Sequence, residues 1–579
     1  MKELMLGNAA IARGAYEAGV KVAAAYPGTP STEILENITR YPEIHAEWAP
    51  NEKVALEVAV GASIGGARAL AAMKHVGVNV AADPLFTFAY TGVNGGLVLI
   101  TADDPGMHSS QNEQDNRYFG RFAKIPVVEP SDSQEALGFI LEAFEISERF
   151  DTPVLFRVTT RLAHAQSLVE TGERLEQEVK PYIKDVAKYV MMPAMARQRH
   201  LKVEERMKAL SSFVENTPLN RIEWGSKAVG VITSGIPYQY VREALGTDVS
   251  ILKLGVVYPL PWNMIRKFAA EVDRLYVVEE LEPFLEEQMR ASGVNVTGKE
   301  LFPKVGELGP EIIRDKIAGK PYSVADLEAA PPVRPPVMCP GCPHRGIYYI
   351  LSKLKLTVTG DIGCYTLGAL APLSSIDSCI CMGASIGTAH GLEKARGAEF
   401  ARKTVAVIGD STFVHSGITG LVNVVYNRGT STVMILDNST TAMTGHQDHP
   451  ATGKTIGREP THRLDLEALI RATGVERVSV VDPFDLEKVE EVVRAEIEAN
   501  EPSVIIARRP CALLVRQPAA GQMVVDPALC SGCKRCGKLG CPGISFDRDL
   551  ARINNSLCNS CGLCAQVCRV HHAIQKVGE

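Results

Sequence analysis

The sequence predicts an α/β protein: three doubly wound domains followed by a small C-terminal α+β module. Three observations carry that reading. Short, β-branched apolar runs alternate with helical patterns along most of the chain, as in parallel sheets covered by helices on both faces. A proline-dense stretch at 329–336 (AAPPVRPP) is stiff and marks a domain boundary. Eight of the fourteen cysteines crowd into residues 530–579 at short, regular intervals.

Length and composition set the frame. At 579 residues the chain exceeds a single core and suggests three to five domains. It is 46% hydrophobic and 22% charged, as expected of a globular protein in water. A net charge of −6 gives no electrostatic case for nucleic acid. No apolar run approaches the ~20 residues of a membrane span. The first nineteen residues read as an amphipathic helix whose charges interrupt any signal-peptide core, so a cytoplasmic location is expected. In that setting clustered cysteines indicate metal or cluster binding rather than disulfides.

The first domain is placed at 1–165, with strands at 20–25, 97–102, 126–128 and 154–158 and helices at 33–39, 54–70 and 133–150. Residues 166–224 are charged, with breaks at Pro181 and Pro193, and read as a helical connector. The second α/β domain, 225–328, has expected strands at 227–233, 250–254 and 274–279 and helices at 237–245 and 282–291. The third, 337–516, centres on an apolar run at 404–408, a turn at Gly409-Asp410-Ser411, a helix-length segment and a second run at 431–436 ending at Asp437-Asn438. That order is a βαβ unit, which places Asp410 and Asn438 past the carboxyl ends of neighbouring parallel strands, where open α/β sheets bind ligands. Strands lie ~4.8 Å apart, so the two oxygen-bearing side chains can share one hard cation. Mg²⁺ uses few protein ligands and completes its shell with water and phosphate oxygens. Read more plainly, the segment is an ordinary βαβ unit with a polar turn.

Gly409-Asp410-Ser411 followed by Asp437-Asn438 resembles the GDG…NN signature of thiamine-diphosphate enzymes. The resemblance implies Asp410 and Asn438 as side-chain ligands of Mg²⁺, with the carbonyl of Thr440 as a third, in a diphosphate-binding domain. Ser411 replaces a glycine and Asp437 the first asparagine, but neither is an expected ligand. Met382, in Cys381-Met382-Gly383-Ala384 before a small-residue helix, resembles the bulky residue placed under the bent cofactor; a core methionine is the plain alternative. In the first domain, Asn51-Glu52-Lys53-Val54-Ala55 resembles the segment carrying the cofactor-activating glutamate. Glu52 would then bond N1′ of the aminopyrimidine and favour the imino tautomer that takes the C2 proton. Without the resemblance, Glu52 is a helix N-terminal acid on the dipole; Glu57 is a weaker candidate.

Tyr26-Pro27-Gly28-Thr29-Pro30-Ser31 reads as a rigid turn with Ser31 or Thr32 capping a helix. It also resembles the YPxTPSS segment of 2-oxoacid:ferredoxin oxidoreductases, which makes Thr29 a substrate contact. His108 lies on a polar loop and is either an active-site or a surface histidine. Cys339-x2-Cys342 with His344 could be a zinc half-site, but no second CxxC lies nearby. With the later Cys364 it also resembles the place where pyruvate:ferredoxin oxidoreductases hold a cluster. A fourth ligand would have to be Cys379, Cys381 or Cys511; lining of the cofactor cleft is the expected role.

The tail, 521–579, carries Cys530-x2-Cys533-x2-Cys536-x4-Cys541 and, 28 residues on, Cys558-x2-Cys561-x2-Cys564-x3-Cys568. Each CxxCxxC offers three corners of a cubane, the fourth coming from the other run as in two-cluster ferredoxins. One [4Fe-4S] cluster would take Cys530, Cys533, Cys536 and Cys568; the other Cys541, Cys558, Cys561 and Cys564. Zinc is the simpler alternative, but its sites favour two separated CxxC pairs.

Domain order and the matches YPGTPSTEI, NEKVALEVAVGAS, CPGCPHRG and DNSTTAMTGHQ resemble the α subunits of indolepyruvate:ferredoxin oxidoreductases over nearly the whole chain. That resemblance implies three thiamine-diphosphate-enzyme-type domains (pyrimidine, transketolase C-terminal-like and diphosphate) and a ferredoxin domain. It further implies a small β subunit, a dimer of αβ heterodimers, coenzyme A as co-substrate, ferredoxin as acceptor and arylpyruvates as substrates. Alternatives are a pyruvate, branched-chain or phenylglyoxylate oxidoreductase, a non-oxidative decarboxylase, or an electron-transfer subunit with an inactive cofactor fold.

Overall fold

The computed structural model describes residues 2–320, 332, 334–515, 521–569 and 571–578. Of the proline stretch, residues 329–331 and 333 lie outside the described residues. The chain divides into two compact units, Met1–Glu328 and Ala329–Glu579. No described helix is long and apolar enough to cross a membrane.

The first unit is built on a seven-stranded sheet in the order Val256–Tyr258, Val127–Val128, Val154–Thr159, Leu97–Asp103, Ala69–Lys74, Val22–Ala25 and His45–Trp48. Every pairing is parallel except the first. All residues of the three central strands are buried, as expected where helices cover both faces. Asn51 opens the helix Glu52–Ile64 by accepting from the Val54 N–H at 2.9 Å, and Asp132 opens Ser133–Arg149 in the same way.

Several expected boundaries are corrected. The helix expected at 54–70 stops at Ile64 because the chain turns through Gly65 and Gly66, the latter at φ +96°. Ala69–Lys74 then re-enters the sheet; its small apolar residues show no period separating strand from helix. The expected N-terminal helix begins only at Gly7, since Lys2–Leu6 pairs antiparallel with Gln166–Glu170. The 166–224 connector is therefore not wholly helical. Its first part spends backbone groups on distant partners, Leu175 N–H on the Glu17 carbonyl and Lys180 N–H on that of Gly66. Helix is confined to Val186–Tyr189 and Pro193–Phe213.

A second sheet in this unit runs Leu275–Val278, Gly230–Ser234, Ser250–Leu254 and Arg221–Glu223, the last antiparallel. It does not stand apart as the 225–328 boundary implied. Val256–Tyr258 crosses into the larger sheet, and Ile232, Leu252 and Val277 share a core with Leu99 and Leu155. A buried charge network also joins them: Arg117 bonds Asp115 and, at 2.7 Å, Glu279, while Arg157 bonds Asp103 and Glu129, each at 2.6 Å.

The second unit holds a six-stranded, wholly parallel sheet in the order Ser378–Cys379, Thr357–Gly360, Thr404–Gly409, Thr432–Asp437, Ser503–Arg508 and Arg477–Val481. Strand order reverses between Thr357–Gly360 and Thr404–Gly409, which opens a crevice beyond their carboxyl ends. The tail adds two antiparallel pairs, Gln522–Val525 with Ile574–Val577 and Ile544–Asp547 with Leu550–Ile553, and the short helical segments Arg535–Leu539 and Leu563–Val567. It is not a loose appendage. Met523, Leu539, Leu563 and Ile574 share a core with Ile347, Leu351 and Val489. Gln566 clamps the junction, donating to the Phe484 carbonyl at 2.6 Å and accepting from Leu486 N–H at 3.0 Å.

Candidate active site and cysteine centres

In the second unit, the parallel register that sets Gly409 beside Leu436 brings Asp410 and Asn438 out at adjacent strand ends. Gly409 is required there, because a Cβ would lie 2.6 Å from the Tyr365 ring. Asp410 is buried; its oxygens accept from Ser411 N–H at 2.8 Å and Ser439 N–H at 2.9 Å. Ser439 reaches that position with φ +60°, the left-handed region that L-residues seldom occupy. Asn438 Oδ1 accepts from Thr440 N–H at 3.2 Å. The helix opens with the turn Asp410–Thr412 and then takes a single π-turn, Phe413–Gly417, a distortion frequent at functional sites.

Three residues that the sequence did not assign to this loop tune it. His344 is fully buried, and burial pushes its imidazole down to about 4 against the pull of Asp410, so it is neutral. Its Nε2 stands 3.4 Å from Asn438 Nδ2 and accepts from it, orienting Oδ1. Arg508 donates to Asp437 at 2.8 Å and binds Glu467 as well, drawing Asp437 away from Asp410. Burial and the charge of Asp410 raise the Asp437 pKa; Arg508 offsets them in part. His449 Nε2 faces Asp410 Oδ2 at 3.3 Å with no hydrogen-bond partner among the described residues.

The donor set is one carboxylate, one amide oxygen and backbone carbonyls, hard oxygens suited to Mg²⁺. Among the described residues no three His, Cys, Asp or Glu side chains converge on one point. A site that relies on amide and carbonyl oxygens does not need such a group. Nor do cluster cysteines, each of which binds a different iron. The residues fit a magnesium diphosphate.

Met382 is partly exposed beside this crevice. Asp361, at the end of the neighbouring strand Thr357–Gly360, accepts from Gly383 N–H at 2.8 Å and Ser385 N–H at 3.1 Å. It thus pins the Met-Gly turn and opens the helix Ala384–Arg396. Gly383, at φ +86°, leaves room for Ser416, whose hydroxyl donates to the Met382 carbonyl at 2.9 Å.

In the first unit, Glu52 is buried at the first position of its helix and packs on Gly77. Glu57 is exposed and paired with Lys53, a surface acid. The Thr29 carbonyl accepts from Ser109 Oγ at 3.2 Å. Ser31 is not a side-chain cap: its hydroxyl turns back to the Gly28 carbonyl at 2.8 Å. Lys74, unnoticed in the sequence, lies against this loop, donating to the Ser109 carbonyl at 2.5 Å; burial pulls its amine down to about 8 against Asp104. His108 is half-exposed and meets Glu307 at 3.1 Å, a surface histidine.

The tail cysteines fall into two groups. Cys541, Cys558, Cys561 and Cys564 line one pocket, together with Pro340 and Arg345 of the CPGCPHR segment. Cys536 faces Cys568 and Cys533, and Cys530 borders the same core. A third group forms around the CPGC loop. Burial pushes the Cys342 thiol up to about 12 and Cys364 up to about 11, with Cys511 and Cys339 adding to the latter. Cys379 and Cys381 face Asp361 instead.

Comparison with known proteins agrees with this chemistry. Residues 361–507 match the model of the thiamine pyrophosphate enzyme C-terminal TPP-binding domain. Residues 13–210 match that of the pyruvate flavodoxin/ferredoxin oxidoreductase thiamine-diphosphate-binding domain. Indolepyruvate oxidoreductase subunit IorA of Archaeoglobus fulgidus is 42% identical, covering 98% of this chain and 96% of that one. Its counterpart from Pyrococcus abyssi is 43% identical over 100% and 97%. A 2-oxoglutarate:ferredoxin oxidoreductase structure from Magnetococcus marinus is 18% identical, with a TM-score of 0.46 over 55% of this chain and 65% of that one. The full-length likeness places the chain: it belongs to the indolepyruvate oxidoreductase subunit IorA family, enzymes of the thiamine-diphosphate-dependent 2-oxoacid:ferredoxin oxidoreductase class.

Proposed function

We propose that this chain oxidatively decarboxylates arylpyruvates (indolepyruvate, phenylpyruvate and hydroxyphenylpyruvate) with coenzyme A, giving aryl-acetyl-CoA and CO₂ and reducing ferredoxin. One observation carries the reading: the Asp410–Asn438 crevice and the pocket of Cys541, Cys558, Cys561 and Cys564 belong to one folded unit with a common core. A decarboxylase that only releases aldehyde has no use for such an electron conduit.

Thiamine diphosphate, when bound, supplies the nucleophilic carbon that takes up the 2-oxo acid and releases CO₂. Asp410, Asn438 and the Thr440 carbonyl would hold Mg²⁺ and through it the diphosphate. His344 keeps the Asn438 oxygen turned to the metal, and Arg508 keeps Asp437 from competing. Asp361 fixes the turn that presents Met382 to the cofactor. Glu52 holds the proton at N1′ of the aminopyrimidine, and Thr29 contacts the substrate.

Cys530, Cys533, Cys536 and Cys568 would hold one [4Fe-4S] cluster and Cys541, Cys558, Cys561 and Cys564 a second. The pair would supply one-electron carriers for the two electrons released on decarboxylation, with the thiol of coenzyme A as acceptor of the acyl group. Clusters of this kind reach potentials on the order of −400 mV, within the range of a soluble ferredoxin. The grouping of Cys339, Cys342 and Cys364 with Cys511 supports a third cluster beside the cofactor. A small β subunit completes the enzyme as a dimer of heterodimers.

The test is anaerobic co-expression with the β subunit and a panel of 2-oxo acids scored by ferredoxin or viologen reduction. Arylpyruvates with coenzyme A are expected to reduce the acceptor fastest. Release of arylacetaldehyde with no acceptor reduced would select a non-oxidative decarboxylase, and a preference for pyruvate or branched-chain acids would move the substrate class.

A further inference from the structure

Arg345 is a buried cation without an anion. It is 2% exposed, on the first turn of the helix His344–Lys353 that follows the CPGC loop. Its three hydrogen bonds all go to backbone carbonyls: Nη1 to Leu539 at 2.6 Å, Nη2 to Met338 at 2.7 Å and to Cys339 at 3.2 Å. Nε has no partner, and no carboxylate pairs with the guanidinium among the described residues. In the first unit Arg117 and Arg157 each meet carboxylates directly. Arg206 shares the pattern of Arg345, bonding the Asp151 and Ala89 carbonyls with Nε unpartnered, but no cysteine lies in that unit. A guanidinium cannot shed its proton in a protein, and burying an unpaired charge is strongly unfavourable. What distinguishes Arg345 is an anion-binding chemistry in its surroundings.

Those surroundings are the pocket lined by Cys541, Cys558, Cys561 and Cys564. Arg345 borders that pocket beside Cys541 and Cys561 and follows directly on the CPGC loop. Its bonds also span the junction, with the Cys339 carbonyl on the cofactor-domain side and that of Leu539, two residues before Cys541, on the tail side. A cubane held by four thiolates carries two negative charges when oxidised and three when reduced. A fixed cation at its edge therefore favours the reduced state.

We propose that Arg345 is the built-in counter-ion of the cluster held by Cys541, Cys558, Cys561 and Cys564, raising its reduction potential and tethering it to the CPGC loop. This rests on the proposed function, in which that cluster accepts one electron at a time from the decarboxylated substrate and passes it to ferredoxin. Arg345 is a positioning residue: it touches neither substrate nor thiamine.

The test uses the anaerobically purified complex with its β subunit and reads iron content and cluster midpoints by redox titration followed by electron paramagnetic resonance. Arg345→Gln removes the charge and keeps a donor; Arg345→Lys keeps the charge. The Gln variant is expected to lower one cluster's midpoint by a tenfold or larger change in its reduction equilibrium, about 59 mV for one electron. The Lys variant should restore most of that shift, and the remaining cluster signals should stay in place. Selective loss of one cluster in the Gln variant, recovered in the Lys variant, supports the proposal equally. Unchanged midpoints at full iron content overturn it, as does equal loss of all clusters in both variants, which would mark Arg345 as a brace of the fold. Absence of iron–sulfur signals from the unmutated complex would overturn the proposed function along with it.

Discussion

Gly77→Ala tests whether the position of Glu52 governs cofactor activation. Gly77 lies in the helix His75–Val80, where a Cβ would stand 2.7 Å from Glu52 Cγ and 2.8 Å from Oε1. Ordinary contact begins at 3.4 Å, so Glu52 must retreat by about 0.7 Å. It is buried at the start of its own helix and cannot move freely into solvent. A 1 Å misplacement at a reacting centre costs up to ~10²-fold, which puts the expected fall in kcat at about 10- to 10²-fold. Overpacking costs about 1–3 kcal/mol, and alanine in a helix returns about 1 kcal/mol, so the fold survives. The assay is exchange of the C2 proton of bound thiamine diphosphate, followed by quenched NMR, with thermal unfolding alongside. Gly138→Ala, in the helix Ser133–Arg149 with nothing within 4 Å of the added Cβ, is the control and should leave exchange unchanged. A folded Gly77→Ala enzyme that exchanges C2 at the unmutated rate would refute the role given to Glu52.

Asp410→Ala removes the one carboxylate proposed to bind the cation and should weaken magnesium-dependent retention of thiamine diphosphate by at least ~10²-fold, equivalent to losing one buried charge-assisted contact; cofactor content after gel filtration reads it, and normal retention would contradict the assignment. Cys511→Ser should lower iron per chain by one cluster while Cys381→Ser leaves it unchanged; the reverse pattern would dissolve the third cysteine group. Glu280 is fully buried and its pKa rises from 4.5 to about 7, chiefly through burial, with Arg157 opposing. Its folded state therefore binds the proton more tightly than the unfolded one, so its stabilising contribution is complete below pH 4.5 and is lost as pH rises through 7. The shift corresponds to about 3 kcal/mol. Glu280→Gln should flatten that loss, gaining on the unmutated chain in Tm between pH 5 and pH 8; a constant Tm difference would show that Glu280 does not titrate there.

Local signals in the sequence were enough for whatever is decided within a few residues. The helix expected at 133–150 is found at Ser133–Arg149, where the Asp132 side chain reaches an N–H three residues on. The run ending at Gly409-Asp410 and the run ending at Asp437-Asn438 announce a βαβ unit because β-branched residues and a turn do so in any context. The cysteine spacings single out metal chemistry for the same reason. Pairing partners are a different matter, since they are set by which surfaces bury one another. Hence Ala69–Lys74 is a central strand although its residues would suit a helix, and Val256–Tyr258 leaves its expected domain for the edge of a neighbouring sheet. The residues that refine the site are of this second kind. His344, Asp361 and Arg508 come from three separate strand ends or helix starts and act only because the parallel register sets those ends side by side. Chain order could not separate Cys511 from Cys379 and Cys381 as companion of the CPGC loop. The fold carries the chain past the strand Ser503–Arg508 and back over the crevice, where the Cys511 N–H bonds the Asn438 carbonyl.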